Sequence, residues 1–140
     1  MRKIEYPMLS KNLAVILIGC LVFFGLNDVG WAEDLQKSEL RCGWFDNPSP
    51  SNADLTDASG VWLISQQGEY TANGAWPKFD PGQWVQTGVG SYGYGCACIY
   101  GRFDSATQKV LFIERSSSKP LRVCRSDKKI SKFEPFNPLK

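Results

Sequence analysis

Apolar residues follow two unlike patterns along this chain. Near the N-terminus, Leu13 to Leu26 is almost unbroken: Leu-Ala-Val-Ile-Leu-Ile-Gly-Cys-Leu-Val-Phe-Phe-Gly-Leu. Past residue 40 the apolar residues come instead in short runs divided by Gly, Pro, Asn and Asp. Val61-Trp62-Leu63-Ile64-Ser65 is compact and rich in β-formers, and Gln83-Trp84-Val85-Gln86-Thr87 alternates. Tyr92 to Phe103 predicts a long central strand, Asp104 to Gln108 a hairpin loop, and Lys109 to Arg115 its antiparallel return. Ser116-Ser117-Ser118 is read as a loop, and Leu121 to Cys124 as a last short strand. Asp46 to Asn52 is read as a turn-forming run, Asn before Pro being biased to extended backbone. No apolar i, i+3, i+4, i+7 pattern persists over three turns beyond the leader. The expected fold is therefore all-β: a small antiparallel sheet arranged as a meander, barrel or sandwich.

The N-terminal run changes the picture of where the protein works. Arg2, Lys3 and Lys11 precede it, and Gly30-Trp31-Ala32 places small residues at the two positions a signal peptidase reads. A charged head, an apolar middle and a small-x-small exit predict a secretory signal over residues 1–32. The run is shorter than the roughly 20 apolar residues of a membrane span. Leu17-Ile18-Gly19-Cys20 offers a second processing route, a lipobox with acylation of Cys20. Against it, Leu21-Val22-Phe23-Phe24 would then begin the mature chain. Domain order follows: residues 1–32 signal, 33–40 a polar leader, 41–127 a β domain, and 128–140 a basic tail. The tail is expected to be mobile from Arg125 onward. The predicted location is periplasmic or secreted, with membrane attachment only if Cys20 is lipidated or the signal stays uncleaved.

Removing residues 1–32 of 140 leaves 108, enough for one domain, with 13 basic and 12 acidic side chains. That near-neutral balance recruits neither nucleic acid nor a membrane by overall charge. Four cysteines remain: Cys42, Cys96, Cys98 and Cys124. An even number in an exported chain predicts two disulfides. Cys96 and Cys98, two apart on one strand, would have Cα atoms roughly 6.5–7 Å apart at about 3.3 Å rise per residue. That is the upper edge of what a disulfide spans, so each is expected to reach a different partner, one Cys42 and the other Cys124. A structural zinc is disfavoured by the one-residue C-x-C spacing, and no metal or cofactor is expected.

The chain has no histidine, which removes the commonest general base and metal ligand. Asp46, Asp54, Asp57, Glu69, Asp80 and Asp104 mostly sit in turn contexts, and no pair among them announces itself as catalytic. Gly88-Val89-Gly90-Ser91-Tyr92-Gly93 matches G-x-G-x-x-G as a string. It leads toward a strand rather than opening a helix, so its glycines are read as turn and close-packing positions. No enzymatic activity is expected. Aromatic residues are the other candidate chemistry. Trp62 and Trp84 lie in strand runs and read as core. Trp44, Trp76, Tyr92 and Tyr94 lie in loop contexts and form the candidate binding surface. Arg122, Arg125, Lys128, Lys129 and Lys132 form a basic patch, most simply a solvated tail.

Arg41-Cys42-Gly43-Trp44-Phe45-Asp46-Asn47-Pro48, Gly82-Gln83-Trp84-Val85 and Ser91-Tyr92-Gly93-Tyr94-Gly95-Cys96-Ala97-Cys98 together resemble an uncharacterised bacterial exported family, domain-of-unknown-function family 4087. The resemblance spans roughly Arg41 to Asp127. It implies a bacterial envelope protein and carries over no activity and no site residues. The expected function is thus a non-enzymatic module that binds an envelope protein or glycan through loop aromatics. Two alternatives stand beside it: thiol–disulfide exchange by Cys96 and Cys98, and inhibition of a hydrolase such as lysozyme, the latter by fold-level analogy.

Overall fold

The computed structural model describes residues 37–136. The signal segment 1–32 and Cys20 lie outside the described residues. Eight strands form one sheet: β1 (Glu39–Ser49), β2 (Asn52–Asp57), β3 (Gly60–Gln66), β4 (Tyr70–Thr71), β5 (Asn73–Gly74), β6 (Trp84–Gln86), β7 (Gly93–Asp104) and β8 (Lys109–Lys119). A short helix, α1 (Leu121–Ser126), and a 3₁₀ turn at Ser131–Phe133 follow.

The main path runs β4-β3-β2-β1-β7-β8-β5, with β6 added beside β7. The long strands β3, β2, β1, β7 and β8 pair antiparallel in that order. The sheet then curls until β8 meets β3 in a short parallel contact, Leu63 opposite Lys109. The Leu63 N–H donates to Gln108 O at 2.8 Å there. Of the arrangements the sequence allows, this is a barrel: β8 meets β3 directly at one end of their seam, and β4 and β5 bridge the two strands farther along. Its parallel contacts, β3–β8 and β5–β8, involve only one and two residue pairs.

Because successive side chains in a strand point to opposite faces, β1 and β7 each serve two cores. Phe45, Leu55, Trp62, Ile64, Ile99, Phe103, Val110 and Ile113 fill the barrel interior. Trp44, Tyr94, Cys96, Cys124 and Ile130 form a second cluster outside it, under α1 and the C-terminal segment. Two disulfides, Cys42–Cys98 and Cys96–Cys124, complete the staple. Cys96 and Cys98 reach different partners, as their spacing requires. Cys42 lies directly opposite Cys98 across β1 and β7, whereas Cys96 ties the sheet to α1.

Four local expectations are corrected. The leader 33–40 ends in strand, since β1 begins at Glu39 and pairs it with Gly101. The Asp46–Asn52 run is strand as far as Ser49. A register shift between Asp46 and Ser49 accommodates Pro48, which has no N–H to give the ladder, and the turn shrinks to Pro50 and Ser51 (φ 57°). The serine triplet is not a loop: Ser116, Ser117 and Ser118 pair with Ile99, Cys98 and Ala97, so pairing with a long neighbour overrides weak intrinsic preference. Leu121–Cys124 is helical rather than extended. Pro120, at φ −55°, starts the turn, and Cys124 is carried inward to its bridge.

A candidate binding groove at the barrel mouth

The open end of the barrel is spanned by the segment between β5 and β6, residues 75–83. Its path is set by a type II turn at Asp80-Pro81-Gly82-Gln83. Proline fixes the first central position, Gly82 supplies φ 84°, and the Gln83 N–H donates to Asp80 O at 3.0 Å. The turn delivers Trp84 to β6, where it sits opposite Gly95 of β7. A glycine is needed there. A Cβ on Gly95 would lie 2.4 Å from the Phe79 ring and 2.8 Å from the Gln83 carbonyl oxygen. Gly93, opposite Gln86, has the same role, since a Cβ there would meet Val85 O at 2.2 Å. Of the glycines leading into the central strand, Gly93 and Gly95 therefore serve close packing against aromatic rings and backbone, while Gly90 supplies a φ of 74° in the turn.

Four rings converge as a result. Phe79 and Trp84 stand 4.7 Å apart between centroids, Phe45 and Phe79 5.7 Å, and Phe45 and Trp76 5.9 Å at an edge-on angle. Phe45 is buried at the floor, while Trp76, Phe79 and Trp84 are half-buried. The groove they line measures about 470 Å³ and is edged by Pro77, Pro81, Asn47, Ser91 and Asp80. Among the described residues Asp80 is its single charged one, and it is exposed. Such a surface offers ring faces for apolar or cationic groups and polar atoms for orientation.

The four aromatic residues expected to form the surface are separated. Trp76 lines the groove. Tyr92 is half-buried in the β6–β7 turn and does not line it. Trp44 and Tyr94 are corrections: they are 0% and 1% exposed. They pack edge-on at 5.6 Å, and each has its polar atom answered. The Trp44 indole N–H donates to Ile130 O at 2.9 Å, and the Tyr94 hydroxyl donates to Glu134 Oε1 at 2.8 Å. Burial, with Glu134 beside it, pushes the Tyr94 hydroxyl up to about 12. Arg125 binds the same carboxylate at 2.6 Å. The tail expected to be mobile from Arg125 onward is thus an ordered cap as far as residue 136, because Ile130 and Glu134 complete a core that β1 and β7 alone leave open.

Trp84, assigned to the core, and Phe79, which no pattern singled out, belong to the groove. The turn signal Asp80-Pro81-Gly82 between two aromatics was the available clue.

The carboxylates lie elsewhere. Asp46 and Asp54 face each other across β1 and β2. Burial raises both, and the negative charge of Asp46 helps push Asp54 up to about 6. Neither lines the groove. Asp57 is held low: burial works against ionisation, but hydrogen bonds from Ser59 and Arg41 outweigh it. Among the described residues no three of His, Cys, Asp and Glu come together as metal ligands. No helix among them is long and apolar enough to cross a membrane. The two disulfides fit an oxidising, extracellular-type environment.

No curated protein and no solved structure matches the chain. The family described as a protein of unknown function (DUF4087) matches residues 36–131, which take in all eight strands and α1. Covering well over half of the 140 residues, that match makes the chain a member of the DUF4087 family.

Proposed function

We propose that this is a non-enzymatic binding module of the bacterial envelope, exported by its N-terminal signal, which holds its ligand in the aromatic groove at the barrel mouth. The observation that carries the reading is the contrast among tryptophans. Trp44 and Trp62 are sealed, while Trp76 and Trp84 keep ring surface open to a groove of about 470 Å³. Open aromatic surface beside satisfied strands and turns is what binding sites use and what cores avoid. The exchange alternative loses its dithiol, since Cys96 and Cys98 are bonded to different partners and Cys96 is buried.

The test is retention of the full-length, disulfide-intact chain on envelopes isolated from the cells that make it. Trp76→Ala and, separately, Asp80→Lys should each lower retention about tenfold or more, while Val89→Ser, at an exposed turn, leaves it unchanged. Thermal melts establish that the variants are folded. Unchanged retention in both groove variants would overturn the reading.

A further inference from the structure

Trp76 has a second open side. Beyond it lies another groove of about 440 Å³, whose opposite wall is β8 from Arg115 to Ser118, with Lys78 on the near wall. Its floor is held in place by the Ser116 hydroxyl, which donates to Ala75 O at 2.8 Å. This stretch of β8 is unusual in the sheet. On the side toward β7 it is paired continuously, Ser116 to Ile99, Ser117 to Cys98, Ser118 to Ala97 and Lys119 to Cys96. On the other side β5 accompanies β8 only at Phe112 and Ile113. From Glu114 to Lys119 that side has no strand partner among the described residues. In an antiparallel ladder half of the backbone N–H and C=O groups point away from the neighbour, so this edge presents unpaired donors and acceptors.

The side chains on the edge are sorted by face. Ser116 and Ser118 share the barrel-interior face with Ile99 and Ala97. Arg115, Ser117 and Lys119 share the outer face with Tyr100, Cys98 and Cys96. The Arg115 guanidinium lies 4.1 Å from the centre of the Tyr100 ring, which holds it over that face. Among the described residues no acidic one lines the groove, and no ion pair engages Lys78, Arg115 or Lys119.

We propose that the free edge of β8 takes up an extended segment of a partner protein as an added strand, its acidic side chains meeting Arg115 and Lys119 and its alternate apolar side chains entering the groove beside Trp76. The proposal goes beyond the mouth-groove reading: it concerns a second groove that shares Trp76 with the first. Main-chain hydrogen bonds supply the hold, and the two-residue period of a strand sends acidic residues outward and apolar ones to the tryptophan. A protein segment is favoured over a glycan because a peptide's own N–H and C=O groups repeat at the spacing of the unpaired groups along the edge. Lys78, on the near wall, favours the same negative charge.

The experiment screens a library of octapeptides with alternating apolar and acidic residues against the full-length, disulfide-intact chain, then titrates the enriched peptide by fluorescence anisotropy. Arg115→Gln combined with Lys119→Gln should weaken binding at least tenfold. The weakening should shrink at high salt. N-methylation of alternate peptide nitrogens, made in both frames, should cost at least tenfold in one frame and little in the other. Trp76→Ala should weaken it as well. Absence of enrichment, or equal binding of both N-methylated frames, overturns strand addition; the edge charges then serve only to keep β8 from pairing with other chains. Binding of a carboxylated oligosaccharide, oligogalacturonate, in place of the peptides overturns it in favour of a glycan. Envelope retention lost in Trp76→Ala would, in either case, leave the binding-module reading standing.

Discussion

The barrel has two aromatic clusters packed against the same two strands, β1 and β7, and they end in opposite states. Outside the barrel, Trp44 and Tyr94 are covered by α1 and the C-terminal cap, their polar atoms are bonded, and the Cys96–Cys124 bridge passes between sheet and helix. At the mouth, Trp76, Phe79 and Trp84 rest against Phe45 but keep exposed ring surface. The first cluster is finished by α1 and the segment from Ile130 to Glu134; the second has no such cover among the described residues. Aromatic richness alone does not distinguish a core from a site. What distinguishes them is whether the chain supplies a cover.

The comparison can be broken most sharply at Trp44. Trp44→Ala should destabilise the fold by about 3–5 kcal/mol, the range for emptying a fully buried aromatic position, read as a lower urea midpoint. Equal effects at Trp44 and Trp76 would erase the distinction. Next comes the bridge beneath the cap. Replacing Cys96 and Cys124 together by Ala should cost about 3–4 kcal/mol by the chain-entropy argument. It should also quicken hydrogen exchange at the Trp44 indole. The pair Cys42 and Cys98 closes a longer stretch, 56 residues apart against 28. Its removal should cost a similar amount while leaving that indole protected.

Gly95→Ala acts on the mouth. The added methyl has to displace Phe79 or the Gln83 backbone, so a loss of about 1–3 kcal/mol is expected. The groove fluorescence of Trp84 should change with it. Asp54→Asn goes the other way. An unperturbed Asp takes up its proton near 3.8, while in the folded domain Asp54 does so near 6. The folded state therefore binds the proton more tightly. Asp54's own contribution to stability is therefore greatest below about pH 4, is lost as pH rises through about 6, and stays lost above. At pH 7.5 Asp54→Asn should stabilise by about 1–2 kcal/mol, less than the full shift because solvent screens some of it; the difference should vanish near pH 3. Trp76→Ala, finally, should cost about 1–2 kcal/mol, well below Trp44→Ala, because a half-buried ring gives up only part of the contact a sealed one makes. Its larger effect should be on binding.

The sequence made the strands at Val61–Ser65, the β7–β8 hairpin and the two-partner disulfide arrangement readable because each rests on local signals: β-rich runs, turn residues, and the short reach of a sulfur–sulfur bond. It misplaced what long-range packing decides. Trp44 sits beside Asp-Asn-Pro, which reads as a loop, yet nine residues of β1 pair with β7 and carry it inside. The tail reads as solvated because Arg125, Lys128, Lys129 and Lys132 dominate it. Only Ile130 and Glu134, eighty-odd residues from Trp44 and forty from Tyr94, reveal its role. Trp84 reads as core because it alternates with polar neighbours, and on a three-residue strand at the rim that alternation does not ensure burial. The groove emerges only when a turn brings Trp84 beside Phe79.

The pairing of cysteines has a consequence for how the molecule is made. Counting the four described cysteines in chain order, the bonds join first to third and second to fourth, so they interlace. In a chain delivered from its N-terminus into an oxidising compartment, Cys96 and Cys98 reach Cys42 almost together, and Cys96 waits 28 residues for its own partner. Oxidation before Cys124 arrives can therefore join Cys42 to Cys96 as readily as to Cys98, and thiol–disulfide exchange has to undo the wrong bond. Production of this domain should therefore depend on a disulfide isomerase as well as an oxidase, and its yield should fall in cells that can make such bonds but cannot reshuffle them.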